Sequence, residues 1–542
     1  MASIRILRAF VLILFFSASA FGQENRYMVF FKDKQGVPFT PSKPIEFLSE
    51  KAIDRRLKQG IDISSRDLPV QASYVAGVRH AGADTFFTTR WLNGVLVQCD
   101  PAILPALESL PFVDHVEFVA PLPTLQTGGR RSFNLRRKNN QIGFETENQL
   151  KMLGIDKMHE GGYQGQGVTI AILDSGFPGV DTSPAFQHIF SNGRLMEAVS
   201  YDFVHNTSQV FQYDDHGTEV LSVIAAEIPD AFTGGAIEAS FQLFVTEEVP
   251  TEYRIEEYNW LFAAERADSA GVDIIHSSLG YYDFDDASMN YSLEQMDGKT
   301  AIVSQAAQWA ADRGILVVTS AGNEGAIPSW RIITAPADAM DVLAIGAVNN
   351  TLQKTGSSSI GPAADNRIKP DLAALGVGVK VVKSNGQVST ASGTSLSAPL
   401  VTSLVAGILQ RYPDLTAKEI IALLKQTASQ ARKPDNLLGY GIPNFQAVVN
   451  FQEQIPQTRP FEIFPNPLMD DTLTISPLDP NLVSACEIEI ISSQGQILGK
   501  DSTRFDWLNR TYKTDVSGLA SGIYYIRVFS EKRKYTFRLV KL

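Results

Sequence analysis

Acyl transfer through a serine needs a nucleophile, a base that takes its proton, a carboxylate that orients the base, and a donor for the oxyanion. The stretch Gly393-Thr394-Ser395-Leu396-Ser397-Ala398-Pro399 offers the first. It reads as a small-residue turn that delivers Ser395 to the N-terminus of a helix over Leu400–Leu409, where the helix dipole and free N–H groups favour negative charge. A base is available in Asp215-His216-Gly217-Thr218-Glu219-Val220, where the glycine permits close approach at a helix start. Asp174 closes the apolar run in Ile172-Leu173-Asp174-Ser175-Gly176, and Asn323 sits in Ala321-Gly322-Asn323-Glu324-Gly325. Taken singly, each has a structural reading: Ser395 as a helix cap, His216 as a surface or packing histidine, Asp174 as an N-cap or turn residue, Asn323 as a turn residue.

The elements that must position these residues follow from the hydrophobic pattern. Strand-like runs at Val168–Leu173, Phe241–Val245, Ile274–Ile275, Ile315–Thr319 and Val342–Val348 alternate with helical stretches at Tyr253–Ala270 and Ala301–Arg313. Such alternation predicts an α/β fold with a doubly wound, mostly parallel sheet, whose sites form at the carboxyl ends of strands. Asp174 and Asn323 both follow predicted strands. Before this unit, strands at Tyr27–Phe31, Trp91–Val97 and Val113–Val119 and a helix over Ala102–Leu110 predict a small α+β unit. After it, short alternating runs at Thr472–Ile475, Ile488–Ile491 and Gly522–Val528 predict a β-sandwich. The expected organisation is residues 1–22 as a signal peptide, 23–122 as the α+β unit, 123–148 as a basic linker, 149–450 as the α/β unit, 451–460 as a linker and 461–542 as the sandwich.

Composition narrows the function classes. The 542 residues are 44% hydrophobic and 20% charged, with a net charge of -12. That balance argues against a nucleic-acid partner, which needs clustered Lys and Arg. Arg5 and Arg8, the apolar run Ala9–Phe16 and small residues through Gly22 have the three regions of a secretory signal peptide. Only Cys99 and Cys486 occur, so stability rests on core burial rather than on a disulfide framework. No HExxH and no Cys/His cluster at zinc-ligand spacing is present, which disfavours a metalloprotease, and no metal ligand is assigned.

Taken together and in chain order, Asp174-Ser175-Gly176, His216-Gly217-Thr218-x-Val220, Ala321-Gly322-Asn323 and Gly393-Thr394-Ser395-x-x-x-Pro399 resemble the subtilisin-like serine proteases, over about Gln149–Asn450. Ser278-Leu279-Gly280, Ser357–Pro362 and Lys369–Ala373 add to the resemblance. It implies a secreted endopeptidase in which Asp174, His216 and Ser395 form the triad and Asn323 is the side-chain oxyanion donor. Ser278, Leu279, Gly280 and Gly322 would bind an extended peptide by strand addition. No cofactor is needed for such chemistry. The acidic cluster Asp283, Asp285 and Asp286 reads as a solvated loop, with the structural calcium used in that family as the alternative.

Several positions depart from the family pattern. Leu396-Ser397 stand for Met-Ala, Glu219 for a second His, His276-Ser277 for Asn-Met, and Leu375 for Pro. Tyr27–Leu122 resembles the family's inhibitory propeptide, which implies an intramolecular inhibitor removed by self-cleavage before Gln149. The tail resembles the C-terminal sorting domain of the type IX secretion system, through Phe464-Pro465-Asn466-Pro467 and Asp515–Tyr524. It implies outer-membrane secretion machinery as a partner and release or attachment at the cell surface. The alternative reading is a catalytically silent adhesion or binding protein on the same scaffold; an esterase with the same triad is a third.

Overall fold

The computed structural model describes residues 24–122, 146–454, 461–478, 486–503, 506, 511–530 and 533–542. The expected signal peptide, most of the basic linker, residues 455–460 of the second linker and the side chain of Cys486 lie outside the described residues. Cys99 is buried and unpaired.

The N-terminal unit contains β1 (Asn25–Phe31), α1 (Glu50–Lys58), α2 (Ala72–His80), β2 (Asp84–Thr89), β3 (Gly94–Cys99), α3 (Leu104–Glu108) and β4 (Val113–Pro121). Its antiparallel sheet has the order β2-β3-β1-β4. The strand expected at Trp91–Val97 begins only at Gly94, because Asn93 turns the chain in the left-handed region (φ 55) and its Nδ2 donates to the carbonyls of Phe31 and Asp33. Trp91 is thereby freed to pack on the central unit.

The central unit runs α4 (Glu147–Met152), α5 (Ile155–Glu160), β5 (Thr169–Asp174), α6 (Gln187–Ser191), β6 (Tyr201–Asp202), α7 (His216–Ala225), β7 (Glu227–Ile228), β8 (Phe232–Thr233), β9 (Ser240–Val245), α8 (Ile255–Ala270), β10 (Ile274–Ser277), α9 (Ile302–Asp312), β11 (Leu316–Ser320), β12 (Leu343–Val348), β13 (Leu372–Leu375), β14 (Val379–Val382), β15 (Val388–Ala391), α10 (Thr394–Arg411), α11 (Ala417–Thr427) and α12 (Phe445–Gln454). Seven strands form one parallel sheet in the order β13-β12-β11-β10-β5-β9-β6. The continuous apolar runs are explained by burial of both sheet faces. Ile170 and Ile172 face the core beneath α7 and α10, whereas Ala171 and Leu173 face the core beneath α8 and α9. Two-residue periodicity splits β10 and β11 in the same way.

Helix α4 crosses the boundary expected at 148/149, because the buried Gln149 side chain accepts from the Lys380 N–H and donates to the Lys380 carbonyl. Helix α12 likewise crosses the boundary expected at 450/451, with Val448 and Val449 buried on its inner face. The N-terminal unit docks on α8 and α9. Met28, Phe30, Trp91 and Leu96 enter the same core as Tyr258 and Leu261, and Glu117 accepts from Tyr258 and pairs with Arg254.

The C-terminal unit is a β-sandwich of two antiparallel sheets. One contains β16 (Phe461–Phe464), β17 (Thr472–Pro477) and β20 (Tyr512–Asp515); the other contains β18 (Cys486–Ser492), β19 (Ile497–Thr503), β21 (Gly522–Ser530) and β22 (Arg533–Lys541). Phe461, Ile475 and Tyr512 from the first meet Ile488, Ile526 and Val528 from the second.

Candidate active site

Asp174 is the last residue of β5 and is fully buried. His216 is the first residue of α7, and its Nδ1 lies 2.8 Å from Asp174 Oδ1. Two glycines allow this approach. A Cβ on Gly217 would lie 2.2 Å from the Gly176 carbonyl oxygen and 3.0 Å from Asp174 Cβ. Gly176 itself adopts φ +145, and a Cβ there would lie 2.2 Å from the Gln212 carbonyl oxygen. Asp214, which the sequence reading did not single out, accepts from the His216 N–H at 3.0 Å and fixes the start of α7. Burial alone pulls the His216 imidazolium down, but Asp174, joined by Asp214 and Glu219, outweighs it and holds the pKa up at about 9.

Ser395 lies in the first turn of α10, because that helix begins at Thr394 rather than at Leu400. Pro399 therefore sits inside the helix, where it lacks the N–H that would reach the carbonyl of Ser395 four residues back. The hydroxyl of Ser278, just past the carboxyl end of β10, supplies that donor at 2.9 Å. In return Ser395 Oγ donates to the Ser278 carbonyl at 3.3 Å. Ser278 Oγ has one proton, so it accepts from His276 Nε2 at 2.9 Å, and His276 Nδ1 accepts from Thr402 Oγ1 at 2.8 Å. Burial pushes His276 down to about 3, consistent with a neutral ring in this relay. His276 was visible in the sequence only as a departure from the family pattern.

Asn323 follows β11 and is exposed. Its Oδ1 accepts from the Thr394 N–H at 3.0 Å, and a backbone N–H can only donate, so Nδ2 is left as the free donor of this side chain at the start of α10. Gly393, at φ +148, brings the start of α10 against Asn323: a Cβ there would lie 3.4 Å from Asn323 Oδ1. Gly322 accepts through its carbonyl from Thr394 Oγ1 at 3.1 Å. The structure thus joins Ser395, Ser278, Gly322 and Asn323 through hydrogen bonds, and Asp174 with His216 through another. Helices α7 and α10 pack together and bring the two groups to one end of the sheet. Leu279 is half-buried and Gly280 exposed beyond Ser278.

Among the departures, Glu219 forms an ion pair with Lys383, Ser397 Oγ donates to the Thr394 carbonyl at 2.9 Å, and Leu396 is buried. Two aspartates of the expected acidic cluster accept hydrogen bonds from backbone amides. Asp285 accepts from the Glu252 N–H, and Asp286 from the Ser288 N–H and hydroxyl.

A strand-end carboxylate paired with a helix-start imidazole, and a serine at the start of a neighbouring helix, are the groups that acyl transfer through a serine requires. The profile of the Subtilase family matches residues 165–441, slightly more than half of the chain and all of these groups. The chain belongs to the subtilase family. Two further profiles flank the subtilase match: the Peptidase S8 propeptide domain of Bacteroidota over residues 26–137, and a secretion system C-terminal sorting domain over residues 462–542. This subtilase is 30% identical over 313 residues to serine protease AprX of Bacillus subtilis (strain 168), covering 52% of the chain and 65% of AprX. To subtilisin NAT of Bacillus subtilis subsp. natto it is 27% identical over 291 residues, covering 54% of the chain and 68% of that protein. The chain thus spans about two thirds of the length of these relatives. In fold it is similar to the epidermin leader peptide processing serine protease of Staphylococcus aureus, with TM-score 0.55, 16% identity and coverage of 80% of this chain and 100% of that one.

Proposed function

We propose that this subtilase is an exported serine endopeptidase with Asp174, His216 and Ser395 as its triad. The observation that carries the reading is the 2.8 Å pair between buried Asp174 and His216 Nδ1, which leaves Nε2 as the basic nitrogen. His216 takes the Ser395 Oγ proton as Oγ attacks the peptide carbonyl carbon. The Ser395 N–H, one of the free amides of the first helical turn, and Asn323 Nδ2 hold the oxyanion. Collapse of the intermediate breaks the C–N bond, and His216 returns the proton to the leaving amine. A water, deprotonated by His216, then attacks the acyl-enzyme and releases the acid. The extended substrate lies along Ser278–Gly280 and Gly322.

The propeptide domain acts as the intramolecular inhibitor, and the sorting domain directs the chain through outer-membrane secretion machinery to the cell surface or the medium. Among the described residues no helix is long and apolar enough to cross a membrane. Incubation with a fluorophosphonate probe and with casein, beside a Ser395→Ala control, tests the activity. Labelling and casein cleavage that both vanish in the control are expected. Protein that neither labels nor cleaves overturns the enzyme, and labelling without proteolysis points to an esterase.

A further inference from the structure

Helix α1 of the propeptide domain is held on two sides by two different units. Lys51, Arg55 and Gln59, each four residues apart, lie in one row along the helix and reach the subtilase unit. Lys51 Nζ donates to Thr169 Oγ1 and pairs with Asp273, both at 2.6 Å, and Arg55 Nε donates to the Arg313 carbonyl at 3.1 Å. Gln59, at the end of the helix, donates to the Gly314 carbonyl at 2.6 Å and accepts from the Ala417 N–H at 3.1 Å. Ile53 and Leu57 form a second row on the opposite side of the helix, and both are buried. With Leu48 and Ala52 they pack on Ile491 and Tyr525 of the sorting domain. A Cβ on Gly495 would lie 2.9 Å from both Ile53 Cγ2 and Pro44 Cγ, so the turn after β18 also closes on the propeptide.

The sandwich side of this contact is unusual for its position. Along β21, Tyr524, Ile526 and Val528 point into the sandwich core, so Tyr525 points out of it. Its direct cross-strand partner on β18 is Ile491. The outward residues of a sandwich are ordinarily polar, so two apolar side chains opposite one another mark a face that is covered. Every buried residue of the cluster that covers it belongs to the propeptide or to the sorting domain. Farther along the same face Arg527 pairs with Glu489 at 3.1 Å and reaches Asp62 of the propeptide at 3.8 Å.

We propose that the propeptide domain is the seat of the sorting domain, with α1 as the wedge between it and the subtilase unit, so that shedding the propeptide undocks the sorting domain. While the propeptide is in place, one helix carries both contacts. Once it leaves, Ile491 and Tyr525 are uncovered together. The contact is less tightly closed than the cores on either side: a crevice of about 530 Å³, lined by Lys43, Ile61, Ile63, Ile497 and Arg527 among others, runs into it. The two domains can therefore part without opening a core. The docking stands on this contact whether or not Ser395 is the nucleophile; only its release rests on the self-cleavage proposed above.

The test uses the full chain carrying Ser395→Ala, which keeps the propeptide attached, studied by small-angle X-ray scattering and hydrogen–deuterium exchange. Leu57→Glu on the propeptide side and, independently, Tyr525→Lys on the sandwich side should each raise the radius of gyration by roughly 3 Å above the compact value. Each should also speed exchange in the turn at residues 492–497 roughly tenfold, with exchange in β1 and β20 unchanged to show that both domains stay folded. Wild-type protein that has shed its propeptide, as verified by mass spectrometry, should show the same fast exchange in that turn. A Tyr525→Lys chain that stays compact with the turn protected would overturn docking on α1. Protection that persists in the shed wild type would put the seat on the subtilase unit and overturn the proposal as well. Wild type that keeps its propeptide would contradict self-cleavage alone, and the two variants would still decide whether α1 is the seat.

Discussion

Ser278 Oγ donates to the main-chain carbonyl of Ser395 at 2.9 Å, standing in for the amide that Pro399 cannot offer. The helix that carries Ser395, the proposed nucleophile, is thus held from outside, by a hydroxyl that is itself oriented by His276 and Thr402.

Breaking that relay leaves buried polar groups unpaired, which costs about 1–3 kcal/mol at each break. Ser278→Ala and His276→Ala are each expected to lower kcat roughly tenfold to a hundredfold with little change in KM, because Ser395 loses its position while the binding edge remains. His276→Asn can keep a donor toward Ser278 and an acceptor toward Thr402, and is expected to stay within a few-fold of wild type. The double change Ser278→Ala, His276→Ala should cost little more than either alone, since the residues act as a unit. Full additivity in steady-state kinetics would refute the relay.

The raised pKa of His216 sets the pH profile. The base must be neutral to take the Ser395 proton, so kcat/KM should climb about tenfold per pH unit and level off near pH 9. Stability runs in the opposite sense. A histidine raised from 6.5 to about 9 on folding adds stability that is fully present below pH 6.5 and lost as pH rises through 9. Asp174→Asn removes the main cause of the elevation and the orienting acceptor together. It should move the kinetic midpoint down and lower kcat by about four orders of magnitude. A midpoint that stays near 9 in the variant would mean that Asp174 does not control His216.

How far the sequence reaches is clearest at these same residues. The order of Asp174, His216, Asn323 and Ser395 could be read because each sits at a strand end or helix start marked by glycine and a period change. The helix start could not: the apolar run placed it at Leu400, whereas Ser278 replaces the donor that Pro399 lacks and lets the helix begin at Thr394. Tertiary partners of this kind leave no local signal.

One buried carboxylate of the propeptide interface, beside the buried Glu265, gathers several arginines. Asp268 of α8 is fully buried and accepts from Arg55 and Arg56 of α1 and from Arg90 beside β3. Although burial opposes ionisation, these guanidinium groups with Arg313 hold the Asp268 carboxyl far below the usual range, so it stays ionised throughout ordinary pH. Asp268→Asn would leave several buried arginines without their counter-charge, at a cost of about 3–5 kcal/mol. The cleaved propeptide, expected to co-elute with wild-type protease in size-exclusion chromatography, should separate from the variant, and protease activity should appear without a lag. Co-elution of the variant's propeptide would show that the apolar contacts of Met28, Phe30 and Trp91 suffice.

Side-chain preference at the cleavage site is expected to depend on Thr334. Its Oγ1 is buried without a hydrogen-bond partner among the described residues, and lies 2.2 Å from where a Cβ on Gly280 would be and 3.1 Å from one on Gly322. A substrate stretched along those two glycines would point a side chain into the gap between them and meet the Thr334 hydroxyl as its floor. Short side chains should therefore be accepted there, with Ala or Ser favoured over Phe or Leu. Thr334→Gly removes the floor, and a pocket change of this size is worth roughly tenfold to 200-fold in discrimination. Profiling wild type and variant on a peptide library should show the preference move toward Phe and Leu by about that factor, with catalysis of the best substrate retained. An unchanged profile would place the cleavage-site side chain away from Thr334 and require a different path for the peptide across Gly280 and Gly322.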